Sequence, residues 1–176
     1  MRLRRAVKED VERLWEICRG QTAEEFCLWG ADLVYEYPPR LEQMRRRFEA
    51  LFGDAVLFAA ECGGQVVGFA EIGELDPAEK CGVLARVLLE KGRRGKGRGK
   101  EFVNLVLDQA AGTLGLEEVK LIVYAGNLRA QRCYEACGFV RGKALLRPGR
   151  PDAWWMRADL RERRGGSQPS QRLKGV

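Results

Sequence analysis

The stretch from Val83 to Phe102 constrains the fold of this chain more than any other. It starts with an apolar, branched run and continues through a loop in which glycines alternate with basic residues. Apolar residues at helical spacing follow over 100–111, so the sequence predicts a strand over 82–89, a glycine loop and a helix. This order forms an anion site, because glycines let a ligand approach the backbone and the free amides of the first helical turn point at it. The expected ligand is a phosphate or pyrophosphate.

The spacing of the glycines narrows the kind of phosphate loop. A P-loop requires Ser or Thr after its Gly-Lys pair, whereas Glu101 follows Gly99 and Lys100. The dinucleotide fingerprint G-x-G-x-x-G also fails, because its third glycine falls on Lys100 or Phe102. A flexible basic linker is an alternative, since Gly and Arg are common in such segments. The remaining pattern is R-x-x-G-x-G, formed by Arg94, Gly97 and Gly99 with Gly95 between them.

Length and cysteine usage indicate the broad class. At 176 residues the chain has the length of one domain. No apolar run approaches the roughly 20 residues of a membrane-spanning helix, and acidic residues follow the basic N-terminus where a signal peptide would be apolar. The six cysteines lie mainly within apolar patterns, as free thiols do in a reducing compartment. We expect a cytoplasmic protein that does not associate with membranes.

The absence of histidine excludes several chemistries. With no histidine and no C-x-x-C pair, a zinc site is not expected. Mechanisms that need an imidazole base, including the usual serine and cysteine triads, are excluded as well.

The net charge of +6 comes from 31 basic and 25 acidic residues. A basic protein can bind nucleic acid, but here the acidic residues are interspersed and no alternating basic and aromatic residues form a stacking platform. Nucleic-acid binding is thus a disfavoured alternative. Residues 161–176 are basic and almost free of apolar side chains, so we predict a disordered tail there and one domain over 1–160.

The hydrophobic pattern predicts the element order β-α-α-β-β-β-α-β-α-β-β ahead of the tail. Gly63 and Gly64 predict a hairpin turn, and 73–80 is predicted to be a polar connection. The arginines at 45–47 are expected on the solvated face of the second helix. Four bulky residues either pack in the core or line an acceptor pocket: Phe26, Trp29, Leu33 and Tyr35.

A second motif lies one strand and one helix downstream of the glycine loop. It reads N-x-x-A-x-x-x-Y-x-x-x-G-F, and helical spacing places its alanine and tyrosine on one face. Its residues are Asn127, Ala130, Tyr134, Gly138 and Phe139. Together with the R-x-x-G-x-G loop, in this order, it resembles the GNAT family of N-acetyltransferases over about residues 1–160. The resemblance implies an α/β fold, the GNAT acyl-CoA N-acyltransferase fold, with one mixed, mostly antiparallel sheet flanked by helices.

The resemblance also implies a cofactor site without a metal. Acetyl-CoA would be the acyl donor, its pantetheine arm lying in a V-shaped gap between the strand before the loop and its parallel neighbour. The loop amides would bind the pyrophosphate. Asn127 would bind the cofactor, cap its helix, or do both. The implied cofactor-binding residues are Val87, Leu88, Leu89, Arg94, Gly95, Lys96, Gly97, Arg98, Gly99, Lys100, Asn127 and Tyr134.

The implied reaction is acetyl transfer to a primary amine by direct attack in a ternary complex. Tyr134 would protonate the departing thiolate, since a phenol donates a proton while its ring packs in an apolar groove; the alternative is a buried core tyrosine. The attacking amine must be neutral, so a general base is expected. Some family members carry a glutamate five residues before the motif asparagine, where this chain has Ile122. Glu71 and Glu74 are therefore the candidate bases, or else ordinary surface carboxylates.

The sequence does not identify the acceptor of the acetyl group. It is a small-molecule amine or a peptide amine, either an N-terminus or a lysine. A CoA-binding regulatory module without turnover is the alternative from another functional class. Exposed edges of the last strands would permit a homodimer.

Overall fold

The structure, a computed structural model, describes residues 1–146 and 148–165. In this part of the chain five α-helices form: α1 (Asp10–Arg19), α2 (Ala23–Leu28), α3 (Leu41–Leu51), α4 (Arg98–Gly112) and α5 (Leu128–Glu135). The strands are β1 (Arg2–Arg5), β2 (Val56–Cys62), β3 (Gln65–Asp76), β4 (Cys81–Leu89), β5 (Glu118–Tyr124), β6 (Val140–Leu145) and β7 (Ala153–Asp159). Short 3-10 helices cover Ala31–Leu33, Lys91–Arg93 and Arg161–Gly165. No helix within these described ranges has the length and apolarity to cross a membrane.

The strands form one sheet in the order β1-β2-β3-β4-β5-β7-β6. All neighbours are antiparallel except β4 and β5, which are parallel. Connectivity explains this difference, because short turns join β2, β3 and β4, whereas α4 carries the chain back between β4 and β5. The mixed, mostly antiparallel sheet predicted from the sequence is confirmed.

Helices cover both faces of the sheet, and each face has its own hydrophobic core. Along β2, Phe58 and Ala60 belong to one core, while Leu57 and Ala59 pack against the other. The first core lies under α4, which buries the residues predicted at helical spacing: Phe102, Val103, Val106, Leu107 and Ala110. The second core lies under α1, α2 and α3 and includes Leu14, Phe26, Met44 and Phe48. The period of each sequence pattern thus matches the face that its element buries.

β4 and β5 pair only along their first residues. Their ladder joins residues 81–83 to residues 118–120 and goes no further. β4 also carries a bulge, since its register with β3 passes from the pair Phe69 and Leu88 to the pair Glu71 and Ala85. Arg86 lies within this bulge and has a φ of 47°. A bulge bends its strand and leaves backbone groups unpaired, so the later halves of β4 and β5 enclose a V-shaped gap.

The β2–β3 hairpin is as predicted, but β3 is longer than predicted. Gly63 and Gly64 form the turn with φ values of 61° and 76°, a conformation that glycine adopts without strain. The predicted polar connection over 73–80 is wrong in its first part, because β3 continues to Asp76, which pairs with Cys81. Pairing with β4 supplies backbone hydrogen bonds that local strand propensity does not predict. Glu74 therefore lies inside the strand, at an irregularity where its φ is 48°.

The C-terminal boundary also differs from the prediction. Disorder was predicted from Arg161, yet Arg161–Gly165 forms a 3-10 helix that lies against α4. Arg163 donates to Asp108 and Asn104, both at 2.8 Å, and to the Cys137 carbonyl at 3.1 Å. These hydrogen bonds hold a segment that lacks apolar side chains, which is why composition alone missed it. The rest of the predicted tail, 166–176, lies outside the described residues.

A cluster of charges ties β1 to the start of α1. Arg4 donates to the two carboxylate oxygens of Asp10 at 2.6 and 2.8 Å, and the Val7 amide donates to the same carboxylate at 2.8 Å. Burial by itself would raise the pKa of Asp10, but the hydrogen bonds from Arg4 and Val7 outweigh it and hold this pKa below its ordinary value of 3.8. A lowered pKa stabilises the fold above the unfolded-state value, and this contribution is lost as the pH falls through the folded-state pKa.

We expect Asp10→Asn to lower the free energy of unfolding at pH 7 by about 2 kcal/mol, because Arg4 loses a charged and largely buried partner. The difference should shrink as the pH falls below 3.8 and the wild-type carboxyl protonates. Urea unfolding of both proteins at several pH values measures it. Glu9→Gln, at an exposed neighbouring position, is the control and should change stability by no more than about 0.5 kcal/mol. A loss that is the same at every pH would contradict the electrostatic explanation.

Candidate functional site

Two cavities open at the V-shaped gap. The loop cavity, of about 640 Å³, lies between the end of β4, the glycine loop and α5. The gap cavity, of about 500 Å³, lies between β3, β4 and β5 and extends towards α2 and α3. The two cavities meet at residues that line both: Leu28, Trp29, Val87, Asn127, Ala130 and Tyr134. Molecules bound in the two cavities would therefore touch beside Val87 and Tyr134.

The glycine loop presents backbone amides to the loop cavity. Gly95, Lys96 and Gly97 have φ values of 89°, 50° and 76°, a left-handed run that glycine allows at two of the three positions. Gly97 is the N-cap of α4, so the first amides of a long helix point outward here. Within the described part of the chain, the amides of Gly99 and Lys100 have no backbone partner. The Arg98 amide is used inside the loop, where it donates to the Gly95 carbonyl at 3.0 Å.

Charged side chains around the loop cavity are mainly basic. Four are cationic, and these are Arg94, Lys100, Arg129 and Arg132. Glu25 of α2 is the one carboxylate among the residues that line it, and its Oε1 lies 3.4 Å from Arg94 Nη1. Arg94 Nε also donates to the Leu89 carbonyl at 2.8 Å, which fixes the loop to the end of β4. This excess of positive charge, with free amides at a helix N-terminus, fits a pyrophosphate group.

The structure places the predicted cofactor residues as follows. The side chains of Lys96 and Arg98 do not line the loop cavity, and Arg98 points towards Cys62, 3.8 Å from its sulfur. The other predicted residues do line it: Val87, Leu88, Leu89, Arg94, Gly95, Gly97, Gly99, Lys100, Asn127 and Tyr134. The loop and the distant second motif thus meet around one cavity.

Tyr134 lies on α5 where the two cavities join. Its ring packs edge-to-face against Phe139, with 5.6 Å between ring centroids. Within the described residues its hydroxyl has no hydrogen-bond partner. Ala130 and Val87 line the same two cavities. Burial raises the pKa of Tyr134 above its ordinary value of 10.0, and nearby thiols raise it further. The side chain is therefore a phenol that keeps its proton and can donate it.

Asn127 joins two walls of the cavities. Its Oδ1 accepts from the Ala130 amide at 3.1 Å, as an N-cap does, and its Nδ2 donates to the Leu28 carbonyl at 3.1 Å. The capping role anticipated for Asn127 is thus observed. A side-chain amide has a second lone pair on its oxygen and a second N–H on its nitrogen. Oδ1 can therefore accept one further hydrogen bond from a ligand, and Nδ2 can donate one.

Cys133 is a residue of the loop cavity that the sequence analysis did not single out. Its sulfur packs at the start of α4, where a side chain at Gly99 would come within 3.3 Å of it. The neighbouring Cys137 thiol lowers the pKa of Cys133 against the effect of burial, helped by Arg129 and Lys100. The same interaction and burial raise the pKa of Cys137, whose sulfur lies 3.7 Å from the Lys100 carbonyl. The i, i+4 spacing on the motif helix could have pointed to this pair.

The bulky residues near α2 divide between the two anticipated roles. Phe26 is fully buried and belongs to the second core. Trp29 and Leu33 line the gap cavity, and Trp29 is fixed by a 2.7 Å hydrogen bond from its Nε1 to Gln21. Tyr35 is buried beside them. Bulky residues therefore form both the core under α2 and the wall of the gap cavity.

Glu71 is held by two arginines. Arg47 Nη2 donates to both of its carboxylate oxygens, at 3.2 and 3.1 Å, and Arg86 Nη1 lies 3.7 Å away. The prediction that residues 45–47 form a solvated face is wrong for Arg47, whose side chain is 19% exposed. The isolated charge in the apolar run L-A-R-V-L-L was the signal that could have found Arg86. Arg86 and Glu71 both line the gap cavity.

The rim of the gap cavity carries two further carboxylates. Glu74 and Asp54 both line it and are exposed. Within the described part of the chain, neither has an ion-pair partner, unlike Glu71. Ile122 lies in the wall of the same cavity, with no charge to contribute. Of the two predicted bases, Glu74 is thus the one with free carboxylate oxygens.

The sequence over residues 12–139 matches the model of the acetyltransferase (GNAT) family. The chain belongs to the GNAT family. This span covers the second motif, the glycine loop and most of the sheet. The chain is accordingly a GNAT acetyltransferase with acetyl-CoA as acyl donor, and the predicted family, fold and enzyme class are confirmed. Among residues 1–146 and 148–165, no group of three or more His, Cys, Asp or Glu side chains could hold a metal ion.

Solved structures of other GNAT enzymes have the same fold. Spermidine N-acetyltransferase from Vibrio cholerae in complex with CoA and spermine aligns with a TM-score of 0.75 at 19% identity, over 90% of this chain and 94% of that chain. The acetyltransferase AAC(6')-Ib in complex with ribostamycin and coenzyme A aligns with a TM-score of 0.76 at 21% identity, over 96% and 98%. At these identities the likeness shows the fold. No curated protein matches the sequence.

Proposed function

We propose that this GNAT enzyme transfers an acetyl group from acetyl-CoA to the primary amine of a small molecule, by direct attack in a ternary complex. The observation that carries the proposal is that two cavities meet at Val87 and Tyr134. The loop cavity fits the cofactor, and the gap cavity leaves about 500 Å³ for an acceptor. Both molecules can be bound at once, so a covalent acyl-enzyme is not required.

The cofactor would lie along the end of β4 and the glycine loop. Free amides of Gly99 and Lys100 and the side chain of Arg94 would bind the pyrophosphate. The bulge and the missing ladder beyond Val83 leave main-chain groups of Val87 to Leu89 beside the gap, where an extended pantetheine arm can pair with them. A thioester supplies the activated acetyl carbon and a thiolate leaving group. The residues of the loop cavity fit this cofactor in charge and in extent.

Tyr134 would act as the general acid. The amine nitrogen attacks the thioester carbon, the carbon–sulfur bond breaks, and the departing sulfur takes the phenolic proton. Tyr134 suits this role because it lines both cavities and its hydroxyl has no competing partner within the described residues. Its raised pKa keeps the proton in place at neutral pH. Solvent restores the proton after the thiol leaves.

Glu74 would take the proton from the ammonium form of the acceptor, directly or through water. Both oxygens of Glu71 are hydrogen-bonded to Arg47, which leaves Glu71 less able to accept a proton. Glu74 is on the same strand, lines the same cavity and has no such partner in the described residues. The choice of base between the two candidates therefore falls on Glu74.

We expect Glu74→Gln to lower kcat/KM about 100-fold at pH 7, as loss of a general base does. The deficit should shrink as the pH approaches the pKa of the acceptor amine, because solvent then supplies the neutral amine. Rates measured from pH 6 to pH 10 test both points. Glu79→Gln, an exposed carboxylate beyond β3 that lines neither cavity, is the matched control. A deficit that does not vary with pH would assign Glu74 a binding role.

The size and enclosure of the gap cavity favour a small molecule over a peptide. Trp29 and Leu33 close it from the side of α2, where a peptide substrate would need an open groove. The neighbours that carry spermine and ribostamycin show that this fold accommodates small amines. A peptide acceptor, a homodimer and a cytoplasmic location remain predictions from the sequence.

The test is a mass-spectrometric screen of acetyl-CoA with polyamines, aminoglycosides, amino acids and amino-terminal peptides. Acetylation of at least one class of amine, lost in Tyr134→Phe, supports the proposal. Acetyl-CoA binding without acetylation of any amine would instead support a CoA-binding regulatory module.

A further inference from the structure

Arg86 is the one cationic side chain among the described residues that line the gap cavity, where it lies beside Glu71. Arg47, Glu71 and Arg86, which we call the arginine floor, place two guanidinium groups around one carboxylate. Their side chains are 19%, 12% and 24% exposed, so solvent neutralises the excess only in part. A buried charge without a counter-charge destabilises the fold. The arginine floor therefore has an excess of positive charge that a ligand anion would offset.

Hydrogen-bond donors of the arginine floor also lack acceptors. The Nε atoms of Arg47 and Arg86 are both buried and without a hydrogen-bond partner within the described residues. Arg86 has five N–H donors, and its one ion pair among the described residues is the 3.7 Å contact with Glu71. Because these Nε atoms are out of contact with the cavity, the groups that a ligand can reach are the terminal N–H groups of the partly exposed Arg86 side chain.

A small chamber of about 20 Å³ adjoins the gap cavity at this point. Arg86, Glu71 and Trp29 line both spaces, and Tyr35 lines the chamber. The volume accommodates about one water molecule or one oxygen atom of a small group. A planar carboxylate in the gap cavity suits the fork of a guanidinium, which binds two oxygens in parallel, whereas the chamber itself is too small for both oxygens.

Arg86 is also next to the reaction point. It immediately precedes Val87, where the two cavities meet, and consecutive Cα atoms are about 3.8 Å apart. Its left-handed φ of 47° at the bulge is uncommon for a residue with a side chain. An acceptor bound to Arg86 through one group could therefore present a second group to the thioester only a few bonds away.

The charges of the gap cavity are separated by sign. Of the charged residues that line it, Arg86 is cationic and Glu71, Asp54 and Glu74 are acidic. Arg47, which does not line the cavity, donates to both oxygens of Glu71 and offsets its charge, so the uncompensated charges are Arg86 and the acidic rim of Asp54 and Glu74. A zwitterion matches this arrangement, with its ammonium towards Glu74 and its carboxylate towards Arg86. A polycation would place positive groups against Arg86, which would repel them.

We propose that the acceptor is a small amino acid-like molecule, and that Arg86 binds its carboxylate while the nearby amine is acetylated. This inference rests on the proposed acetyl transfer and adds the chemical class of its acceptor. It assigns Arg86 as a residue that determines specificity, with Arg47 and Glu71 holding the floor in place.

The experiment compares matched acceptors with acetyl-CoA as donor. The twenty L-amino acids, their carboxamides and the polyamines spermidine and spermine are assayed by mass spectrometry with the wild-type enzyme, Arg86→Gln and Arg45→Gln. Arg45 is exposed on the same helix as Arg47 and lines neither cavity, which makes it a matched control for loss of one positive charge. For the wild type and Arg45→Gln we expect kcat/KM to be on the order of 100-fold higher for the preferred amino acid than for its amide.

In Arg86→Gln that preference should vanish, through loss of activity on the acid with little change on the amide. Wild-type preference for amides or polyamines would overturn the inference and leave the acetyltransferase proposal standing. A preference for acids that survives in Arg86→Gln would also overturn it. If acetyl-CoA binds and no amine of any class reacts, the proposed function itself fails. Calorimetric titration provides a measurement that does not depend on turnover. With CoA present, the protein is titrated with the N-acetylated form of the preferred amino acid and with the N-acetylated form of its amide. The wild type should bind the acid more tightly than the amide, and Arg86→Gln should not.

Discussion

Gly97→Glu should abolish binding of acetyl-CoA in calorimetric titration, with a loss in affinity of at least roughly 100-fold. Gly97 is the N-cap of α4 and lines the loop cavity, so the new carboxylate would lie where the pyrophosphate is expected. There it would repel the phosphates and compete for the same amides and cations. Space is available for the side chain, because nothing lies within 4 Å of a Cβ at this position. The loss would therefore come from charge and occupancy of the site and not from a clash in the core.

Two variants separate this effect from its side effects. Gly97→Ala tests the backbone, since the φ of 76° costs an L-residue about 1 kcal/mol but leaves the amides in place. It should retain binding within a few-fold. Gly92→Glu adds the same charge in the neighbouring 3-10 helix, at a glycine that does not line the loop cavity. If Gly92→Glu and Gly97→Glu weaken acetyl-CoA binding equally, the loss is explained by the added negative charge in general and not by a pyrophosphate site at Gly97.

Tyr134→Phe should lower kcat by about 100-fold to 1000-fold and leave the dissociation constant of acetyl-CoA within a few-fold of the wild-type value. The reason is that the thiolate loses its proton donor, while the ring and its edge-to-face contact with Phe139 remain. The wild-type hydroxyl should also stay protonated at pH 9, because burial raises its pKa above 10.0. Accordingly, wild-type kcat should show no alkaline decline below pH 9 that depends on Tyr134.

Steady-state kinetics and calorimetry on the same preparations measure the two quantities separately. Tyr37→Phe is the matched control, since Tyr37 lines neither cavity and its hydroxyl donates to the Gln21 carbonyl at 3.0 Å. It should keep its kcat. If Tyr134→Phe has the kcat of the wild type, Tyr134 has no role in the mechanism. If its affinity for acetyl-CoA falls by the same factor as its kcat, Tyr134 has a role in binding.

Much of the fold and the position of the glycine loop follow from local patterns. α4 buries the face that the apolar spacing over 100–111 predicts. Glycines at Gly95 and Gly97 have the positive φ values that a loop closing onto a helix requires. These features depend on periodicity and on backbone freedom, which are properties of short segments and are therefore visible in the sequence.

What only the tertiary structure decided is which distant side chains meet. Arg47 looks like part of an exposed charge run and Arg86 like an isolated charge, yet both lie against Glu71 because β3, β4 and α3 pack together there. The same packing pairs both oxygens of Glu71 with Arg47 and leaves Glu74 at the rim of the gap cavity without an ion-pair partner among the described residues, a difference that the sequence did not reveal. The length of β3 and the Arg163 contacts with α4 are likewise set by partners far along the chain. Local pattern determines the elements and the glycine loop, whereas the charge of the gap cavity depends on long-range pairing that no single segment encodes.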